Sequence, residues 1–141
     1  MISIIIPLYN KEQSIEKTIS SVLFQTFGQF ELIIVDDGST DQSVTVVKKI
    51  DDKRIRLVEK ANGGVSSARN RGVLESSYEW IAFLDADDLW HKDFLSNIVK
   101  VINSVRNVYV ITTNFSNVTR DGSILCKFET SSEGFYDFFD R

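Results

Sequence analysis

The densest chemistry in this sequence is Asp85-Ala86-Asp87-Asp88, which directly follows the apolar run 80–84 (WIAFL). If that run is a strand, Asp85 and Asp87 project to the same side of it. The small Ala86 leaves room for a ligand between them. Hard carboxylate oxygens suit Mg²⁺ or Mn²⁺ rather than zinc. Like charges this close repel, so the cluster calls for a cation or full solvation. A helix start accounts for the same residues, because acids in a first turn complement the helix dipole. On this feature alone both readings stay open.

Two further segments could contribute. Asp36-Asp37-Gly38-Ser39 closes the run 31–36 (ELIIVD), where a carboxylate can accept hydrogen bonds from a base ring N–H or from ribose hydroxyls; turn and cap chemistry is the alternative. Asn62-Gly63-Gly64 precedes Ser66-Ser67-Ala68-Arg69-Asn70-Arg71-Gly72. Glycines admit a ligand close to the backbone, a helix N-terminus favours anions, and Arg69 or Arg71 could pair with phosphate. A solvated basic helix face is the alternative. Neither G-x-G-x-x-G nor G-x-x-x-x-G-K-[ST] occurs.

Other chemistries are excluded by residue supply. His91 is the only histidine and Cys126 the only cysteine, so no histidine triad, His-rich metal site or internal disulfide can be built. His91 is expected at the surface near a helix start, and Trp80 and Trp90 in the core or a pocket wall. The net charge is -4 and the 16 basic residues form no block, which speaks against nucleic acid as a partner. No apolar stretch reaches the length of about 18 residues that a spanning helix needs.

The elements that must position these residues follow from periodicity. Apolar runs at 2–7, 31–36 and 80–84 predict buried strands, and 54–59 is a further, shorter strand candidate. Between them lie helical stripes: Ile15, Ile19, Val22 and Leu23; then Val44, Val47 and Ile50, capped by Thr40 or Asp41. A third helix over 65–75 is expected to face inward through Val65, Ala68, Gly72 and Val73. A fourth carries Leu95, Ile98, Val99, Ile102 and Val105. Runs 108–118 and 124–129 predict a hairpin around Asp121-Gly122. This alternation means an α/β fold, a mostly parallel sheet with helices on both faces. Ligands of such sheets bind at the carboxyl ends of the strands, where Tyr9-Asn10, Asp37, Gly63-Gly64 and Asp85 to Asp88 fall.

Four motifs in order, SIIIPLYN, the long segment SIEKTISSVLFQTFGQFELIIVDDGSTDQS, ANGGVSSARNRG and FLDADDLW, resemble the inverting glycosyltransferases of family 2, whose fold is GT-A (Rossmann-like). The resemblance runs from Ile2 to about Phe94. It implies a nucleotide-diphosphate sugar, most commonly a UDP-sugar, as sugar donor, and a saccharide or lipid-linked acceptor. It implies that Pro7, Tyr9 and Asp37 line the base pocket, that Arg69 lies beside base and diphosphate, that Asp85 contacts ribose, and that Asp87, with Asp88 adjacent, holds Mg²⁺ or Mn²⁺. It also implies a cytoplasmic setting at the inner face of a membrane, with peripheral association through a further region, and a role in surface polysaccharide synthesis.

The family's catalytic base lies well beyond the Asp-x-Asp motif, and Glu129, Glu133 and Asp137 sit in no matching pattern. The expectation is therefore one domain over 1–141, the donor-binding part of a transferase, without the acceptor-binding second half and with no identifiable base. Such a chain binds a sugar nucleotide and transfers sugar poorly or not at all alone. Among rivals, a receiver-type phospho-aspartate domain needs its acidic pair after the first strand and a lysine ending a late strand, and Lys127 is badly placed for it. A haloacid-dehalogenase-like phosphatase needs Gly-Thr after the aspartates, which is missing.

Overall fold

Ile2-Ser3-Ile4-Ile5-Ile6-Pro7-Leu8 forms strand β1 (Ile2–Leu8), and all seven residues are buried. A strand covered on both faces has no polar side to show, hence the apolar run; its one polar residue, Ser3, is buried with its hydroxyl donating to Glu31 Oε1 at 2.6 Å. The computed structural model describes residues 1–104, 110–111, 116–118 and 124–126. β1 is flanked by β2 (Phe30–Asp36) and β4 (Trp80–Phe83), and β3 (Ile55–Glu59) lies outside β2. The order is β3-β2-β1-β4 and every pairing is parallel.

Proline inside a sheet normally removes a ladder hydrogen bond. Here it does not. The Ile5 carbonyl accepts from Leu84 N–H, so Pro7, two residues on, faces the same β4 side, where β4 has already ended. The β4 register stops at Ile5↔Phe83 while the β2 register continues to Leu8↔Asp36. The chain moves outward from β1 through β2 to β3 and then crosses to β4 on the other side. The β1/β4 boundary is thus the switch point, where open parallel sheets have a crevice.

Alternate β1 residues feed two apolar layers. Ile4, Ile6 and Leu8 pack with Ile15, Ile19 and Val22 of α1 (Ile15–Leu23), Val47 of α2 (Ser43–Lys48) and Leu95 of α4 (Phe94–Ser104). Ile5, Ile33 and Val35 pack on the other face against Ala68 of α3 (Val65–Glu75). Helices therefore cover both faces, as the alternation requires. In α4 the expected stripe holds: Leu95 is buried, Ile98, Val99 and Ile102 are half-buried, and Val101 is exposed; Val105 lies outside the described residues.

The inward face expected for α3 is only half right. Ala68 and Gly72 are buried, but Val65 is 50% and Val73 41% exposed. Contact with the sheet runs along the two smallest residues instead, because the helix lies very close to β1. A Cβ on Gly72 would stand 2.4 Å from Ile5 Cγ2, inside any permissible contact. Gly72→Ala gains about 1 kcal/mol of helix propensity and costs about 1–3 kcal/mol of overpacking. A net loss of about 1 kcal/mol in urea denaturation is expected; a stabilised variant would contradict this packing.

Contacts divide the chain into two units, Met1–Val105 and Arg106–Arg141. The second contains an antiparallel pair, β5 (Ser116–Val118) with β6 (Ile124–Cys126), in the stretch expected to form a hairpin. The Asp121-Gly122 turn lies outside the described residues.

Candidate functional site

The carboxyl ends of β1, β2 and β4 meet at a cleft of about 430 Å³. Pro7, Leu8, Tyr9 and Lys11 from the β1 end form one wall, and Asp85, Ala86 and Asp87 from the β4 end face them. Asp37, Asn62, Gly64 and the start of α3 close the remainder.

The loop after β1 is held by the loop after β2. Asn10 turns the chain with φ 50, a conformation asparagine tolerates. Its side-chain oxygen accepts from Thr40 N–H at 2.8 Å, and its own N–H donates to Ser39 Oγ at 3.0 Å. Lys11 N–H donates to Ser43 Oγ at 2.8 Å. Asp41 accepts from Ser43 N–H at 2.9 Å and from Glu12 N–H at 3.1 Å. The cap position of α2 is Gln42 rather than Thr40 or Asp41, because Asp41 bridges the two loops.

The acidic turn is pinned from α1. Ser14 Oγ and Thr18 Oγ1 both donate to the Ala86 carbonyl, at 2.9 and 3.0 Å, and Ala86 is buried. The helix-start reading of Asp87 and Asp88 is overturned here: the N-terminus of α4 does not begin until Phe94. Asp85 and Asp87 instead stand half-exposed on the cleft wall, each with a cation. Arg69 Nη2 meets Asp85 Oδ1 at 2.6 Å, and Lys11 Nζ meets Asp87 Oδ2 at 2.6 Å. Asp88 follows in the turn, exposed and not among the cleft-lining residues. Partial burial, with the charges of Asp87 and Asp85, raises its carboxyl above the ordinary value. Hydrogen bonding and charge from Asp87 raise the Lys11 ammonium in turn.

Asp37 is 3% exposed and does two jobs' worth of bonding. It pairs with Lys60; Gly63 N–H donates to Oδ1 at 3.0 Å and Gly64 N–H to Oδ2 at 2.7 Å. Gly64 has φ 87, so a side chain there would be strained. Asn62 Nδ2 adds a bond to the Asp37 carbonyl at 2.9 Å. Burial opposes ionisation of Asp37, but the bonds from Lys60, Gly64 and Gly63 outweigh it and hold the carboxyl below its usual range.

Pro7, Tyr9, Asp37, Asp85 and Asp87 thus share one cleft, with Arg69 bonded into it. Arg71 is not brought there; it pairs with Glu75 one turn along α3 at 2.7 Å. His91 is exposed, and Trp90 stacks on Phe94 with ring centroids 4.3 Å apart at the edge of the core. Sequence reasoning missed Lys11 and Lys60. Each directly follows a strand end or its loop, the one signal that pointed to them.

Among the described residues no three carboxylate, histidine or cysteine side chains converge as a ready metal cage. That donor set fits a magnesium-like ion held by one or two carboxylates with the rest of its shell supplied by a bound phosphate group and water. Arg69 Nε is buried without a hydrogen-bond partner among the described residues. Its fork makes one bond to Asp85 where a two-oxygen anion could take two.

Several carboxyls are held below their ordinary values, which fixes an acid limit. The Arg54 guanidinium lowers Asp52 to about 2; Glu31, opposed by burial, is lowered by Ser3 and Ser77. A lowered folded pKa contributes stability that is complete above the unfolded value of about 4 and lost as pH falls below it. For Asp52 that window runs from about 4 down to about 2. The urea midpoint is expected to be lower at pH 3 than at pH 6, and Asp52→Asn to narrow the gap. Equal midpoints would contradict these pairings.

Comparison with known proteins bears on the family and the fold. The model of the family described as Glycosyl transferase family 2 matches residues 3–135. An uncharacterized glycosyltransferase of Rickettsia felis is 38% identical over 96% of this chain, which spans 22% of that relative's length. S. aureus TarS 1-349 in complex with UDP-GlcNAc superposes with a TM-score of 0.70 at 29% identity, over 81% of this chain and 38% of that one. The mannosyltransferase PcManGT of Pyrobaculum calidifontis, in complex with GDP-Man and Mn²⁺, also gives 0.70 at 29% identity, over 76% of this chain and 33% of that one. The fold of these neighbours is GT-A.

Proposed function

The chain belongs to glycosyl transferase family 2, and from that premise we propose that its cleft binds a nucleotide-diphosphate sugar, with UDP as nucleotide, for metal-assisted transfer to an acceptor hydroxyl with inversion. The observation that carries this reading is the convergence of Pro7, Tyr9, Asp37, Asp85 and Asp87 on one cleft at the sheet's switch point. The solved neighbours with UDP-GlcNAc and with GDP-Man and Mn²⁺ support it.

In this reading Pro7 and Tyr9 flank the base and Asp37 reads it. A carboxylate has about four acceptor sites, and those engaged by Lys60, Gly63 and Gly64 leave capacity for a base N–H. Asp85 receives the ribose, and Arg69 turns its fork to the diphosphate. Asp87, with Asp88 adjacent, holds Mg²⁺ or Mn²⁺, which when bound offsets the charge that gathers on the leaving diphosphate. The acceptor hydroxyl attacks the anomeric carbon from the face opposite the nucleotide and gives its proton to a general base. That base and the acceptor pocket are assigned to no described residue. A cytoplasmic setting at a membrane's inner face belongs to the same reading; among the described residues no helix is long and apolar enough to cross a membrane.

A thermal-shift panel of UDP-, GDP-, CDP- and dTDP-sugars with and without Mn²⁺ tests it. A sugar nucleotide at about 100 times its Kd adds about 2.7 kcal/mol of stability, so the UDP-sugars are expected to raise Tm most, and more with Mn²⁺. No metal-dependent shift from any nucleotide would sink the donor-site reading.

A further inference from the structure

We propose that Lys11 is a built-in counter-cation of the cleft: its ion pair takes the charge position of a divalent ion on Asp87, and it passes to the diphosphate when metal and nucleotide enter together. This role rests on the donor-site reading above and assigns that site a residue whose exchange couples its two ligands.

The geometry supports an exchange of partners without backbone movement. Lys11 is anchored by its N–H on Ser43 Oγ at 2.8 Å, and Ser43 is fully buried. The opposing turn is anchored by Ser14 and Thr18 on the Ala86 carbonyl. Between these fixed frames the charged heads are free: Lys11 is 42% and Asp87 51% exposed, and they meet at 2.6 Å across 76 residues of sequence. Exposed pairs of this kind are worth little and exchange readily.

Charge balance then dictates the coupling. Two carboxylates on the wall, Asp85 and Asp87, face two cations, Arg69 and Lys11. A divalent ion arriving alone must displace Lys11 from Asp87 and leave it facing a like charge. A diphosphate arriving alone meets two carboxylates. Arriving together, the ion takes Asp87, with Asp88 adjacent, Asp85 receives the ribose, and the phosphates take the two cations, so no charge is left without a partner. Arg69 gains as well, because its Nε, without a partner among the described residues, acquires an acceptor.

The test is Mn²⁺ binding to the 141-residue chain, read as free Mn²⁺ by electron paramagnetic resonance, with and without saturating UDP. In the wild type UDP is expected to tighten Mn²⁺ by at least about fivefold. Lys11→Met, and Lys11→Gln as a second variant, are expected to bind Mn²⁺ alone about threefold more tightly, the scale of an exposed ion pair, while UDP's enhancement shrinks; Lys11→Arg should restore the wild-type pattern. Lys11 variants that bind Mn²⁺ alone no better than the wild type would overturn the role of Lys11. Wild-type Mn²⁺ binding that ignores UDP would instead overturn the donor-site reading, and the Mn²⁺-only arm still decides Lys11 in that case. Unchanged thermal melting of the variants establishes that they are folded.

Discussion

Asp37→Ala is expected to lose about 3 kcal/mol of folding stability, at the lower end of the range for breaking a buried charge pair. The carboxylate is the common acceptor of Lys60 and of the Gly63 and Gly64 N–H groups. Removing it leaves Lys60, only 18% exposed, with the Ala61 carbonyl as its remaining acceptor, and strands two backbone donors of a loop whose conformation depends on them. Lys60 keeps some path to water, which is why the loss is placed at about 3 and not about 5 kcal/mol. Asp37→Asn keeps an acceptor for one N–H but drops the charge, and should fall between. Urea denaturation reads the effect. A loss under about 1 kcal/mol in the alanine variant would show that Asp37 does not hold the loop, by the ordinary scale of surface substitutions. Because the loop forms one side of the cleft, nucleotide binding is expected to fail in the same variant.

Asp87→Ala is expected to do the reverse: little to stability, much to binding. Its side chain is half-exposed and its partner Lys11 reaches solvent, so denaturation should shift by no more than about 0.5 kcal/mol. In Mn²⁺, however, UDP affinity should fall about 10- to 100-fold, to the level seen in EDTA, the usual size of coupling between two ligands. Undiminished Mn²⁺-dependent UDP binding in Asp87→Ala would remove Asp87 from the metal site. The contrast between the two aspartates separates a carboxylate on which the cleft's fold also depends from one needed only for binding.

Much of this arrangement was legible in the residues themselves. Strands buried on both faces read as apolar runs, so β1 and β2 could be placed to within a residue or so; β4 was placed as closely, but the expectation that it is buried is corrected, since Trp80 to Ala82 are half-buried and Phe83 is 47% exposed. Their carboxyl ends then named the segments that form the cleft. The acidic turn was ambiguous because helix capping and metal binding ask for the same residue types; the position of Phe94 as the first residue of α4 removes the capping of that helix, and metal binding is the reading proposed for the turn. The inward face of α3 was misread at Val65 and Val73 because hydrophobicity ranks valine above glycine, whereas a helix this close to β1 needs the smaller residue at Gly72. Lys11 and Lys60 stayed hidden because a single lysine has no pattern, and their partners lie 76 and 23 residues away. Ser14 and Thr18 carry no signal of their role at Ala86 for the same reason.

The central claim, that this cleft is a metal-dependent site for a sugar nucleotide, is tested most directly by calorimetric titration of UDP into the wild-type chain, once in Mn²⁺ and once in EDTA. The expected result is saturable binding at one site in Mn²⁺, weakened in EDTA by at least about fivefold. A flat titration in Mn²⁺, or the same affinity in both buffers, would contradict it.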